Sequence, residues 1–245
     1  NLLEVVRKTS SIKSIIIITT DKVYKVNKKN ISYSETDELG GYDPYSSSKV
    51  CTEVIVNSYV QSFFTKTKLK NKIATVRAGN VIGGGDYSEN RLVPDIIRAI
   101  NGKKKLLVRN PTQIRPWQHV LDPLMGYMLL AEKQYNNKIK ILDNCWNFGP
   151  NTKNFKKVIE IIKFFKTFIN FEYKIELNKK YNETKILKLN SVKAKKILKW
   201  RMKWDINKTL KKTIEWNNLV KQGKSVKSVC ESQILSYLKT KKPIN

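Results

Sequence analysis

Four consecutive isoleucines, Ile15 to Ile18, stand out in a chain whose other apolar residues recur mostly at helical spacing. A short β-branched run of this length predicts a buried parallel strand. Ahead of it, Leu2, Leu3, Val5 and Val6 predict the tail of a helix ending near Lys8. A polar loop is expected from Asp21 to Gly41, then a helix from Pro44 to about Phe64. Val50, Val54, Ile55, Tyr59 and Phe63 are its apolar positions. A lysine-rich turn leads into a strand from Ile73 to Arg77, and strand–helix–strand with a crossover of helical length predicts a parallel βαβ unit. The pattern then predicts a helix over Leu92–Asn101 with Pro94 in its first turn. Short strands at Leu106–Val108 and Thr112–Trp117 are expected outside the main sheet, followed by a helix over Asp122–Lys133 and a strand over Asn144–Phe148. Beyond Pro150, helices over Phe155–Phe168, Val192–Leu198 and Ile206–Lys221 alternate with a strand at Tyr173–Leu177, and Trp200, Trp204 and Trp216 read as core aromatics.

Chemistry concentrates around Tyr42-Asp43-Pro44-Tyr45-Ser46-Ser47-Ser48-Lys49. Asp43 can cap the helix, and Pro44 suits its first turn because its missing N–H would be unpaired there anyway. Tyr45 and Lys49 are four apart, so both project from one helix face. An ammonium near a phenol favours the phenolate, as does the positive end of the helix dipole, and a phenolate can take a proton near neutral pH. With eleven tyrosines and 41 lysines, the bare spacing also fits a solvated pair. Context narrows the choice. The isoleucine strand ends in Thr20-Asp21-Lys22, and in open α/β sheets the ligand crevice lies outside the carboxyl ends of the strands.

Several stretches now line up in one order: Thr20-Asp21-Lys22, Gly40 to Tyr45, Arg77 to Asp86 with its Gly83-Gly84-Gly85, Arg109-Asn110-Pro111, Gln113 to Val120, Trp146 to Pro150, and Ile234 to Leu238. The chain resembles the extended short-chain dehydrogenase/reductases that act on nucleotide sugars, and within them the CDP-glucose 4,6-dehydratases. The fold this implies is α/β, a Rossmann-like doubly wound parallel sheet lacking its first strands, with a smaller discontinuous substrate domain. Residues 1–82 and 118–148 would form the later part of the NAD-binding domain, and residues 83–117 and 149–245 the substrate domain. The resemblance places the family's first strand, its Gly-rich phosphate loop and its ribose-binding acid ahead of Asn1, so the chain is expected to be an inactive part of a longer enzyme.

By the same resemblance Tyr45 and Lys49 serve both catalysis and NAD, with Thr20, Asp21 and Lys22 joining the catalysis. Asn80 and Val81 would lie at the nicotinamide. Asn80, Arg91, Leu92, Arg109, Arg115 and Asn147 would hold the nucleotide-diphosphate sugar, Arg115 by forking onto the diphosphate. Asn80 as a turn residue and Arg115 in a surface salt bridge are the plain structural alternatives. Asp21 would protonate the departing 6-hydroxyl. Lys22 is either the C5 base, which needs a lowered pKa, or a stabiliser of the enolate formed once C4 is a ketone. Relatives pair as homodimers through helices like the one carrying Tyr45, and the product would feed lipopolysaccharide O-antigen synthesis.

Composition changes little. The net charge of +28 invites a nucleic-acid reading. However, 41 lysines against 7 arginines, scattered without a stripe or zinc-finger spacing, describe a solvated basic surface, so no nucleic-acid partner is expected. Cys51, Cys145 and Cys230 are odd in number and far apart, which suits a reducing cytoplasm. His119 is the only histidine, which excludes His-rich metal sites, and no metal is expected. No apolar run is long enough to span a membrane. Another nucleotide-sugar epimerase or decarboxylase would keep Tyr45 and Lys49 without needing both Asp21 and Lys22. A basic nucleic-acid-binding protein would explain the charge but none of the ordered motifs.

Overall fold

The isoleucine run forms a parallel strand, β1 (Ile15–Ile18), but not the buried one expected: it lies at the edge of its sheet, Ile15 alone is buried and Ile18 is 54% exposed. β1 pairs in parallel with β2 (Ile73–Ala78), which pairs in parallel with β6 (Cys145–Phe148), giving the order β1-β2-β6. A computed structural model describes residues 1–26, 32–102, 105–139, 144–176 and 188–241 of the chain. They divide into two compact units, the first being Asn1–Gly79, Pro123–Gly149 and Lys188–Arg201, the second Asn80–Asp122, Pro150–Leu187 and Met202–Asn245.

In the first unit, α1 (Leu2–Lys8) and α2 (Pro44–Tyr59) pack Leu3, Val6, Val56, Val60 and Phe64 with Ile15 and Ile73. α2 continues as a π-helical turn, Val60–Phe64, so the chain coils to Phe64 as expected. The buried face, however, is not the one the pattern suggests. Val54 is 58% exposed, and Ile55 and Phe63 also face solvent. What goes inside is Ser46, Glu53, Val56, Val60 and Phe64. The reason is electrostatic, because a buried arginine on β2 draws Glu53 inward, and α2 turns accordingly. Trp200 packs edge-on against Phe148, and a Cβ at Gly126 would enter the Phe148 ring. Gly126 lies in α4 (Leu121–Tyr135) and must stay small.

In the second unit, β3 (Asn80–Ile82) runs parallel to β5 (Ile114–His119), which pairs antiparallel with β7 (Phe155–Lys157). β4 (Leu106–Val108) and β8 (Tyr173–Ile175) form a separate parallel pair. The short strands expected at Leu106–Val108 and Thr112–Trp117 are β4 and β5, and both fall outside the β1-β2-β6 sheet, β5 running from Ile114 to His119. The core gathers Ile96 of α3 (Leu92–Gly102), Ile161, Ile162 and Phe165 of α5 (Val158–Lys166), and Leu210 of α6 (Ile206–Lys221). Phe155–Phe168 was expected to be all helix. Its first three residues instead extend the β5 ladder, and α5 starts only where the Glu160 carboxylate accepts the Lys157 N–H at 2.7 Å. α7 (Val226–Lys239) closes the unit, and Trp204 and Trp216 are buried. Leu177 lies outside the described residues. The division between units also departs from the expected one. Residues 80–82 and 118–122 belong with the second unit, because β3 and β5 pair with each other. Residues 188–201 return to the first, where Leu189 packs on Val23, Tyr24 and Tyr33. Among the described residues, no helix is long and apolar enough to cross a membrane, and no group of three or more side chains is placed to hold a metal.

Candidate active site

The start of α2 is set locally. The Asp43 carboxylate accepts the Ser46 N–H at 3.0 Å and the Ser46 hydroxyl at 2.6 Å, with Pro44 as the first helical residue. Those two donors, with Lys22 adding its charge, hold the Asp43 carboxyl below its ordinary range. Any Cβ at Gly41 would collide with the Ser46–Ser47 backbone, so the chain enters the helix through a glycine. Tyr45 is 47% exposed and Lys49 is half-buried. Among the described residues, neither the Tyr45 hydroxyl nor the Lys49 ammonium has a hydrogen-bond or ion-pair partner, which leaves both available to a ligand.

β1 runs into Thr19 and Thr20, and Asp21–Val23 forms a 3-10 turn. The Thr20 hydroxyl donates to Asp21 Oδ1 at 3.1 Å and accepts the Lys22 N–H at 3.4 Å. Thr20 and Asp21 are buried, whereas Lys22 is exposed. The Lys22 ammonium lies 5.9 Å from the centre of the Tyr45 ring, so turn and helix meet. Thr20, Asp21, Lys22, Tyr45 and Lys49 are thus gathered beyond the carboxyl end of β1, where ligands of open α/β sheets bind.

Asn147, on β6, is placed differently from the substrate-facing position expected. It is fully enclosed. Its carbonyl accepts the Tyr24 hydroxyl at 2.8 Å, and its amide nitrogen donates to the Tyr33 carbonyl at 3.0 Å.

The remaining site residues are in the second unit. Asn80 and Val81 are half-buried on β3, in register with Trp117 and Gln118 of β5. Arg91 is exposed immediately ahead of Leu92, the first residue of α3. The Arg109 guanidinium donates to Asn90 Oδ1 at 3.2 Å, and Asn90 takes a left-handed conformation with φ of 59°. This contact brings Arg109 to the segment carrying Arg91 and Leu92. Half-buried Arg115 donates to Gln113 Oε1 at 2.8 Å and to the Ile114 carbonyl at 3.3 Å. In the glycine run, Gly85 has φ of 80°, a conformation that favours glycine, and a Cβ at Gly84 would fall inside the Trp216 indole.

The sequence reading missed the buried network behind Tyr45 and Lys49. Arg77 on β2 donates through Nε and Nη2 to Glu53 at 2.8 and 3.0 Å, and through Nη1 to the Tyr24 hydroxyl at 2.8 Å. Both side chains are almost fully buried, at 3% and 5% exposure. The Thr19 and Thr75 hydroxyls each donate to Glu53 at 2.5 Å. Burial works against both charges. Even so, Arg77 holds the Glu53 carboxyl below its ordinary value, and Glu53 raises that of Arg77. The available signal was Arg77 itself, a lone charge in an otherwise uncharged buried strand, which requires an acidic partner.

Solved nucleotide-sugar dehydratases and epimerases share this Rossmann-like fold. The dTDP-glucose 4,6-dehydratase of Bacillus anthracis, in complex with NAD, superposes with a TM-score of 0.74 at 24% identity, covering 89% of this chain and 65% of that one. The UDP-glucuronic acid 4-epimerase of Bacillus cereus, in complex with UDP-glucuronic acid and NAD, gives 0.73 at 18% identity. The CDP-glucose 4,6-dehydratase of Salmonella typhimurium is 36% identical over 243 residues, covering 97% of this chain and 67% of its own length. Residues 1–213 match the family described as GDP-mannose 4,6 dehydratase, and the chain belongs to that family.

Proposed function

We propose that this chain carries the reacting side chains of a nucleotide-sugar 4,6-dehydratase that converts CDP-glucose to CDP-4-keto-6-deoxyglucose and water. The carrying observation is the meeting of the Asp21–Lys22 turn with the Tyr45–Lys49 helix, because an epimerase needs only the second. An unpartnered phenol and ammonium four residues apart also fit the nicotinamide ribose of NAD, which when bound accepts hydride from C4 and returns it to C6. Tyr45 takes the proton of the 4-hydroxyl, and Lys49 holds the phenolate. Once C4 is a ketone the C5 proton is acidic. Its loss, with Lys22 acting either as the base or as the stabiliser of the enolate and Asp21 protonating the departing 6-hydroxyl, eliminates water. In this reading Asn80 and Val81 face the nicotinamide, and Arg91, Leu92, Arg109 and Arg115 hold the nucleotide diphosphate. Asn147 positions Tyr24 and Tyr33.

The chain spans about two thirds of the relatives' length, and the activity is proposed for a protein that also binds the adenosine half of NAD. The outward apolar residues Val54 and Ile55 of α2, with Phe63 of the π-helical turn that continues it, support homodimer pairing through that helix. Three free thiols support a cytoplasmic location, and the product suits O-antigen assembly. The test supplies CDP-glucose and NAD to the chain and to a chain of the relatives' length, and follows the 4-keto-6-deoxy product by NMR. Tyr45→Phe should lower turnover roughly 100- to 10,000-fold. Near-normal turnover in that variant, or inversion at C4 without loss of water, would overturn the reading.

A further inference from the structure

Glu53 is the third residue on the α2 face that carries Tyr45 and Lys49, since 45, 49 and 53 fall one helical turn apart. Its Cα therefore lies about 12 Å further along the helix axis than that of Tyr45, at about 1.5 Å of rise per residue. Around it, hydrogen bonds grip the Asp21–Val23 turn from both sides. On one side Thr19, immediately before Thr20, donates its hydroxyl to Glu53 at 2.5 Å. On the other side Tyr24, immediately after the turn, accepts from Arg77 Nη1 at 2.8 Å, and Arg77 is itself bound twice to Glu53. The Tyr24 hydroxyl donates onward to Asn147 of β6. One carboxylate thus connects the helix of Tyr45 and Lys49 with both flanks of the turn that carries Asp21 and Lys22.

We propose that Thr19, Tyr24 and Glu53 are positioning residues that hold the Asp21–Lys22 turn in register with Tyr45 and Lys49. The proposal rests on the reading of those four residues as the reacting groups. A purely structural ion pair would not need this arrangement, because packed apolar residues of similar volume are often at least as stable as a buried pair. Two reactions at neighbouring carbons do need it. The proton acceptor for the 4-hydroxyl and the groups acting across C5 and C6 must meet one sugar together, and misplacement by about 1 Å can cost on the order of 100-fold.

The molecule contains its own control. Thr19 and Thr75 donate to the same carboxylate at the same 2.5 Å, but Thr75 sits mid-strand on β2, away from the turn. Thr19→Val and Thr75→Val each remove one hydroxyl at constant shape; because the Thr19 hydroxyl also reaches the Val76 carbonyl at 3.3 Å, Thr19→Val should shift the urea midpoint at least as far as Thr75→Val. Amide hydrogen exchange over residues 20–24 should quicken about tenfold or more in Thr19→Val and stay at the wild-type rate in Thr75→Val. Thr19→Ser, which keeps the donor, should restore it. In the active protein, Thr19→Val should lower kcat roughly 10- to 100-fold with KM unchanged, and Thr75→Val should leave both unchanged. Tyr24→Phe cuts the other arm and should loosen the same amides, so it decides the matter if Thr19→Val fails to fold. Equal exchange rates in Thr19→Val and Thr75→Val, or wild-type exchange in Tyr24→Phe, would overturn the clamp. Absence of turnover in the wild-type protein of the relatives' length would instead refute the dehydratase reading, and the exchange comparison would still judge the clamp.

Discussion

Replacing Arg77 by methionine isolates what a buried charge costs once its partner is gone. The unbranched methionine fills the space of the arginine stem, so β2 keeps that packing while Glu53 loses its two guanidinium donors and Tyr24 loses one. Glu53 is 6% exposed and retains only the Thr19 and Thr75 hydroxyls among these partners. Breaking a buried pair in this way costs about 3–5 kcal/mol. For a chain of this size that corresponds to a fall in melting temperature on the order of 10 °C. The pH dependence separates this mechanism from simple loss of packing. In the wild type the Glu53 pKa is lowered from 4.5, so its contribution is present above that value and is lost as pH falls through the folded-state pKa. In Arg77→Met the first cause, burial, acts unopposed by the guanidinium and raises the pKa above 4.5. The sign therefore reverses, and the variant loses further stability as pH rises. Urea unfolding of both proteins at about pH 5 and about pH 7.5 should show a larger deficit at the higher value. The Lys25–Glu38 pair, just as short at 2.7 Å but with both side chains more than half exposed, is the control, and Glu38→Gln should leave the midpoint where it is. An Arg77→Met deficit below about 1 kcal/mol, or one equal at both pH values, would refute the reasoning.

In the second unit, burial pushes His119 down to about 4 from 6.5, with Lys212 adding to it. Its neutral form stabilises the fold above 6.5, and up to about 3 kcal/mol is lost as pH falls toward 4. Burial raises Asp122 to about 6 from 3.8, so its contribution is present below 3.8 and lost as pH rises through 6. The two slopes oppose each other between about 4 and about 6. His119→Gln and Asp122→Asn should each expose the slope of the other in unfolding titrations, and a flat profile in both would be contrary to expectation. Gly84→Ala should destabilise by roughly 1–3 kcal/mol, because its methyl meets the rigid Trp216 indole, and thermal unfolding checks it. Arg115→Ala should raise KM for CDP-glucose, whereas Lys22→Ala should chiefly lower kcat, and an unchanged KM in Arg115→Ala would displace the diphosphate from Arg115.

Much of the site was legible because its signals are local. An N-cap aspartate, a following proline and a four-residue spacing act within one helical turn, and so Asp43, Tyr45 and Lys49 fall where their spacing puts them. β1 and the turn after it are likewise marked by a β-branched run ending in hydroxyl, acid and base. What stayed hidden depends on partners far apart in the chain. The rotation of α2 is decided by Arg77, 24 positions beyond Glu53, so a charge is buried while Val54, Ile55 and Phe63 face outward. Apolar spacing alone offers two faces, since Val56, Val60 and Phe64 also recur at four-residue steps, and the pair of Glu53 with Arg77 selects theirs. Asn147 has the same explanation. Its position in the chain suits a substrate contact, but Tyr24 and Tyr33, more than a hundred residues earlier, occupy both ends of its amide. Phe155–Lys157 has helical spacing yet becomes a strand, because the edge of β5 offers it hydrogen bonds before α5 begins. Propensity and capping act over a few residues and can be read in order along the chain. Pairing of buried charges, amides and strand edges is settled only when distant segments compete for the same partner, and here that competition fixed the face of α2, the enclosure of Asn147 and the start of α5.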